Sequence, residues 1–126
     1  MKADTLGILL LSGAHDRAHA AVSLAAAAVA LGRSVVIFGT SRGCRALLDD
    51  WSALEDAGHD AVLRGRGVAG FGVLRESARD MGARLIACET ALKGESLTHA
   101  TLAPGVEVAG LATFLESVGA GQIVSI

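Results

Sequence analysis

Arg84-Leu85-Ile86-Ala87-Cys88-Glu89-Thr90-Ala91-Leu92-Lys93 is the stretch on which the fold turns. Leu85 to Ala87 reads as a short buried strand that runs straight into a cysteine and then a helix start. At such a junction backbone N–H groups point outward and favour negative charge. A thiol there is expected to titrate low, between about 3.5 and 7.5 in comparable settings, and to offer a thiolate near neutral pH. The competing reading makes Cys88 a small apolar cap on a core strand.

Working outward from this junction, the upstream chain repeats the same grammar. Leu6 to Leu11 is a continuous apolar run, as a strand buried on both faces requires. Ser12 to Arg17 is a short polar loop with Asp16 as the expected N-cap, and the Ala-rich segment Arg17 to Leu31 is a helix stopped by Gly32. Ser34 to Phe38 is β-branched and predicts a second strand, Gly39 to Gly43 its exit loop, and Cys44 to Leu48 the opening of a helix. From Asp49 to Gly70 the pattern is irregular. Trp51, Leu54 and Ala57 allow a helical turn or two, and the glycines that follow predict a mobile excursion over residues 58–69. Phe71, Leu74, Ala78 and Met81 recur at helical spacing up to Gly82, which returns the chain to the Cys88 strand.

Downstream, a helix is expected from Thr90 to Leu102 with a break near Gly94, then a turn at Pro104-Gly105. Val106 to Val108 is a short strand, Leu111 to Val118 a helix, and Ile123-Val124 the closing strand. Strand and helix alternate about five times, which predicts an α/β fold with a parallel sheet and right-handed crossovers. The whole chain reads as one domain, a three-layer α/β/α sandwich.

Composition narrows the function. The 126 residues are 52% hydrophobic and 19% charged, which excludes disorder, and only 3% are aromatic, which argues against a large aromatic ligand pocket. A net charge of −2 gives no basis for binding nucleic acid or an anionic membrane surface. The Ala20–Leu31 run is too short to span a bilayer, and the start Met1-Lys2-Ala3-Asp4-Thr5 does not resemble a signal peptide. Two cysteines without C-x-x-C spacing fit a reducing cytoplasm better than a disulfide scaffold. A mean hydropathy of +0.50 in so small a domain predicts apolar surface left for a homo-oligomer.

Ligands of open parallel sheets bind beyond the carboxyl ends of the strands. Three loops are expected at that edge: His15 and Asp16 with His19 one turn on; Thr40, Ser41, Arg42 and Cys44; and Cys88, Glu89 and Thr90 with Lys93. Each has a plainer reading. His15 and His19, at i and i+4, suit a surface or capping role as well as a metal; Cys44 suits a small core residue as well as a second thiol. Arg42 suits a solvated face, and Glu89 with Lys93 a helix ion pair. Phosphate-loop, dinucleotide, serine-hydrolase and zinc signatures are all missing, so neither a cofactor nor a metal is expected.

Ala87-Cys88-Glu89 followed by a polar helix, and then Pro104-Gly105-Val106-Glu107-Val108-Ala109-Gly110-Leu111-Ala112-Thr113-Phe114-Leu115, resembles the signature of the DsrE/DsrF-like family. Ala25 to Gly32 leading into Val35-Val36-Ile37-Phe38-Gly39-Thr40 resembles that family's first helix and second strand. The chain differs at Thr90 to Lys93 and Ser96, where members often carry Met, Ser and Gly, and at Ser41 to Cys44, where they are often aromatic or acidic. The resemblance implies a small sulfur-relay fold. It further implies assembly into trimers or hexamers, or with paralogous subunits, and a cysteine at the Cys88 position that passes sulfur as a persulfide from a donor protein to an acceptor. The rival expectation is a small-molecule or anion-binding module that uses the same rim without catalysis.

Overall fold

The computed structural model describes residues 4–126, and in it the apolar runs pair into one all-parallel sheet. Met1–Ala3, the start of the N-terminal run read above, lie outside the described residues. The strands are β1 (Leu6–Leu10), β2 (Val35–Gly39), β3 (Arg84–Cys88), β4 (Glu107–Ala109) and β5 (Gln122–Ser125). Their order is β4-β3-β2-β1-β5. The unbroken apolar runs occupy the middle: β2 is buried throughout, and β1 and β3 nearly so.

That order also decides which helix covers which face. Successive steps from β1 to β4 move one way across the sheet, and right-handed crossovers then place α1 (His15–Ala30) and α3 (Phe71–Asp80) together on one side. The return from β4 to β5 runs the other way, so α5 (Leu111–Val118) lies on the opposite side, against β1 and β2. Phe114 of α5 stacks on Phe38 with ring centroids 5.2 Å apart. Gly7 is required directly beneath, since a Cβ there would stand 2.4 Å from Val118.

Four local expectations are corrected. The first helix begins at His15 rather than Arg17, with Ala14 in the cap position; the Asp16 carboxylate accepts the Arg17 N–H from within the first turn at 2.8 Å. The segment after β2 is a 3-10 helix, Ser41–Leu47, begun by Ser41 at φ 50°. It packs so tightly on β1 that a Cβ on Gly43 would stand 2.1 Å from the Leu10 carbonyl oxygen. The helix after Cys88 is only α4 (Glu89–Gly94). Ser96 at φ 57° ends it, with the Ser96 and Leu97 amides donating back to the Lys93 and Leu92 carbonyls. That is a Schellman closure with serine in the usual glycine place. The expected excursion instead holds α2 (His59–Gly65) and is anchored by the buried Asp60.

Gly43→Ala should destabilise the protein by about 1–3 kcal/mol, since backbone rather than a side-chain tip must yield. Urea denaturation measures this, and an unchanged midpoint would contradict the packing.

Candidate functional site: a buried thiol at a strand–helix junction

Cys88 is the last residue of β3 and the N-cap of α4, with φ −69° and ψ 120°. An extended backbone at the cap leaves the first amides of the following turn unbonded within the helix and aimed back over the cap side chain. The Cys88 thiol sits over that turn, although its side chain makes no capping hydrogen bond. Burial pushes its pKa up, but the polarity of the neighbouring Thr40 hydroxyl, Ala91 amide, and Thr90 hydroxyl and amide outweighs this and holds it below the ordinary thiol value. Thr40 reaches the sulfur by register. Gly39 of β2 pairs with Ala87 of β3, so the next residue of each strand also lies side by side. Cys88 is at the same time only 4% accessible.

Cys44 shows the opposite electrostatics. It is fully buried inside the 3-10 helix, and burial, with the Glu95 carboxylate adding to it, pushes its pKa up to about 11. The Cys88 thiol raises it a little further. Of the two, only Cys88 is arranged to hold negative charge.

The other expected rim residues separate. Thr40 and Thr90 converge on Cys88. Glu89 and Lys93 form an i, i+4 ion pair at 3.4 Å with both side chains largely in solvent, the solvated pair of the plainer reading. Arg42 is exposed beside a cleft of about 350 Å3, whose wall also includes Ser12, Gly13, Ser41 and Glu55. His15 leaves the rim altogether: it is 1% accessible and turned inward, its Nε2 bonded to Asp60 Oδ1 at 2.7 Å. His19 Nε2 bonds the Ala69 carbonyl at 2.9 Å, so both histidines fasten the 59–70 segment to α1.

Two buried charged residues escaped the sequence reading. Asp60 fell in a glycine-rich region without periodicity; its one signal was the pair of helical histidines, which needed partners. Arg75 donates from Nη1 to the Ala46 and Leu48 carbonyls at 2.9 and 2.6 Å, closing the end of the 3-10 helix that Thr40 caps. Nothing in its local pattern separates it from a surface arginine. Among the described residues no three His, Cys, Asp or Glu side chains stand so as to hold a metal ion, and no helix is long and apolar enough to cross a membrane.

Thr40→Val removes one donor from the sulfur while keeping shape and β-branching. Losing one such bond should slow alkylation of Cys88 at neutral pH by roughly 3- to 10-fold. Iodoacetamide kinetics on the Cys88 peptide read this directly, and an unchanged rate would remove Thr40 from the site.

A five-stranded all-parallel sheet with helices on both faces defines the chain as an α/β protein of three layers. Among solved structures, the chain is similar to the crystal structure of the ychN protein from E. coli, with a TM-score of 0.72 and 15% identity over 100% of both chains. At that identity the likeness shows the fold alone. No family model matches the chain, and no curated protein matches it.

Proposed function

We propose that this protein is a sulfur carrier in which Cys88 holds sulfane sulfur as a persulfide. The observation that carries the reading is the place of Cys88, a 4% accessible thiol capping α4 at the end of β3, whose pKa the Thr40, Thr90 and Ala91 groups around it lower. The Cys88 thiolate attacks the outer sulfur of a donor persulfide R–S–SH. A new S–S bond forms, the donor's S–S bond breaks, and R–S⁻ leaves with the electron pair. An acceptor thiolate then attacks the outer sulfur of Cys88–S–SH and regenerates the Cys88 thiolate. Neither exchange needs an external oxidant or reductant. The same groups that favour the thiolate suit the anionic inner sulfur each time it departs. Enclosure to 4% accessibility favours a small sulfur species or an extended persulfide arm over a bulky thiol. Incubation with a persulfide donor followed by mass spectrometry should show one added sulfur atom on the Cys88 peptide, lost on mild reduction. A wild-type chain that gains none overturns the reading.

A homo-oligomer belongs to the same proposal. Leu111 and Leu115, one turn apart on α5, are 53% and 55% accessible, and Ile123 of the edge strand β5 is 44% accessible. Ile123 pairs with Gly7, which faces α5, so these side chains share one side of the sheet. Light scattering at micromolar concentration should give a mass of several chains, and a clean monomer would count against it.

The cleft at Arg42 supports a second reading, a binding module for a small polar ligand. A thermal-shift screen with acidic metabolites that stabilises wild type but not Arg42→Gln would favour it.

A further inference from the structure

We infer that the cleft beyond the ends of β1 and β2 is a site for a small zwitterion, a free α-amino acid, held by Arg42 and Glu55 together. The inference rests on the binding-module reading of that cleft, which it narrows to one ligand class, and is independent of the Cys88 proposal. The cleft holds about 350 Å3, toward the lower end of the range for small-molecule sites. Its wall carries the charged side chains of Arg42, Arg45 and Glu55 and the hydroxyls of Ser12 and Ser41.

The charges are not equivalent. Arg45 is committed elsewhere: its Nη2 lies 2.7 Å from Glu95 Oε1, and its Nη1 donates to the Ala53 carbonyl at 3.4 Å. Arg42 and Glu55 take part in no ion pair among the described residues. Yet the main chain brings both to the same glycine. The Glu55 amide donates to the Gly13 carbonyl and the His15 amide to the Glu55 carbonyl, both at 2.8 Å. These bonds fix Glu55 in a parallel bridge with Ala14, at the entry to α1. A Cβ on Gly13 would stand 2.7 Å from Arg42 Cβ, so the missing side chain lets the 3-10 helix close onto the same loop. An unpaired guanidinium and an unpaired carboxylate therefore line one cleft from two tied-down backbones.

That balance of charge selects the ligand. With Arg45 matched by Glu95, the cleft offers one positive and one negative group. A plain anion gains Arg42 and meets Glu55; a plain cation gains Glu55 and meets Arg42. A molecule with both signs a few atoms apart satisfies both. Its carboxylate takes the guanidinium fork, and its ammonium donates to the Glu55 carboxylate. Either contact alone is weak at an exposed position, so the ligand must engage both at once. Ser12 Oγ accepts the Ala14 N–H at 3.1 Å, which leaves its own proton for the ligand carboxylate. An ammonium and a carboxylate on one carbon define the α-amino acids, and the cleft has room for a side chain besides.

Calorimetric titration of the full chain near neutrality with the common L-α-amino acids, each in turn, tests this. At least one should bind with a Kd of about 1 mM or tighter. That amino acid is then compared with the acid that lacks its amino group and the amine that lacks its carboxylate. Each should bind about tenfold weaker or worse, the loss of one charge-assisted hydrogen bond. Glu55→Gln should erase the preference over the acid, and Arg42→Gln the preference over the amine. Both side chains are exposed and Glu55 serves the fold through its main chain, so the variants keep the cleft. An acid that binds wild type as tightly as the amino acid makes this an anion site; the inference then fails while the binding-module reading stands. If no probe reaches that affinity, both fail. Variants that keep the wild-type preferences overturn the inference as well.

Discussion

Cys88→Ser should abolish persulfide loading, while Cys44→Ser should load as wild type does. The two residues are both buried, yet their surroundings act in opposite directions. The Cys88 sulfur has the Thr40 and Thr90 hydroxyls and the Thr90 and Ala91 amides near it, and its pKa is lowered despite burial. Cys44 has burial and the Glu95 carboxylate, which push it to about 11 and leave little thiolate at neutral pH. Serine at 88 is nearly isosteric and can accept the same hydrogen bonds, so fold and assembly should survive. Circular dichroism and light scattering on both variants check this. The loading assay then reads chemistry alone, as sulfur gained per chain by mass spectrometry. A Cys88→Ser chain that still gains a sulfur would falsify the carrier reading and leave the Arg42 cleft as the better-supported site.

Asp60→Ala should cost about 1–3 kcal/mol for each buried donor it leaves without an acceptor. The loss strands the His15 Nε2 proton and the Phe71 amide together, and both belong to first turns of helices in the core. Acidity should change the comparison with a definite sign. The folded Asp60 pKa lies below its unfolded value, so its contribution is fully present above about pH 4 and is lost as pH falls through the folded value. Wild type and Asp60→Ala should therefore differ most near neutrality and converge in strong acid. Urea midpoints across that range measure it; a constant gap would mean that Asp60 acts by packing rather than by charge.

The sequence by itself determined the strands and the class. Leu6 to Leu10, Val35 to Phe38 and Leu85 to Ala87 are apolar without alternation, and only a sheet covered on both faces accepts such runs. The same stretch located a cysteine at a strand–helix junction, because a junction is a local event that neighbouring residues specify. Local chemistry failed where an end depends on distant atoms. Ser96 ends α4 in a left-handed conformation that its sequence does not demand, and the glycines of the 58–69 region concealed a helix whose anchor, His15, stands 45 residues earlier than Asp60. The contrast between the thiols lay partly in the tertiary structure, because Thr90 and Ala91 are neighbours of Cys88 in the chain but Thr40 is not. Thr40 and Cys88 are far apart in the chain and meet only because β2 and β3 are neighbours in parallel register. Cys44 differs from Cys88 because packing removes water from one and sets polar groups beside the other. Burial and the place of Thr40 are set by the arrangement of strands across the sheet, and no window of sequence contains that arrangement.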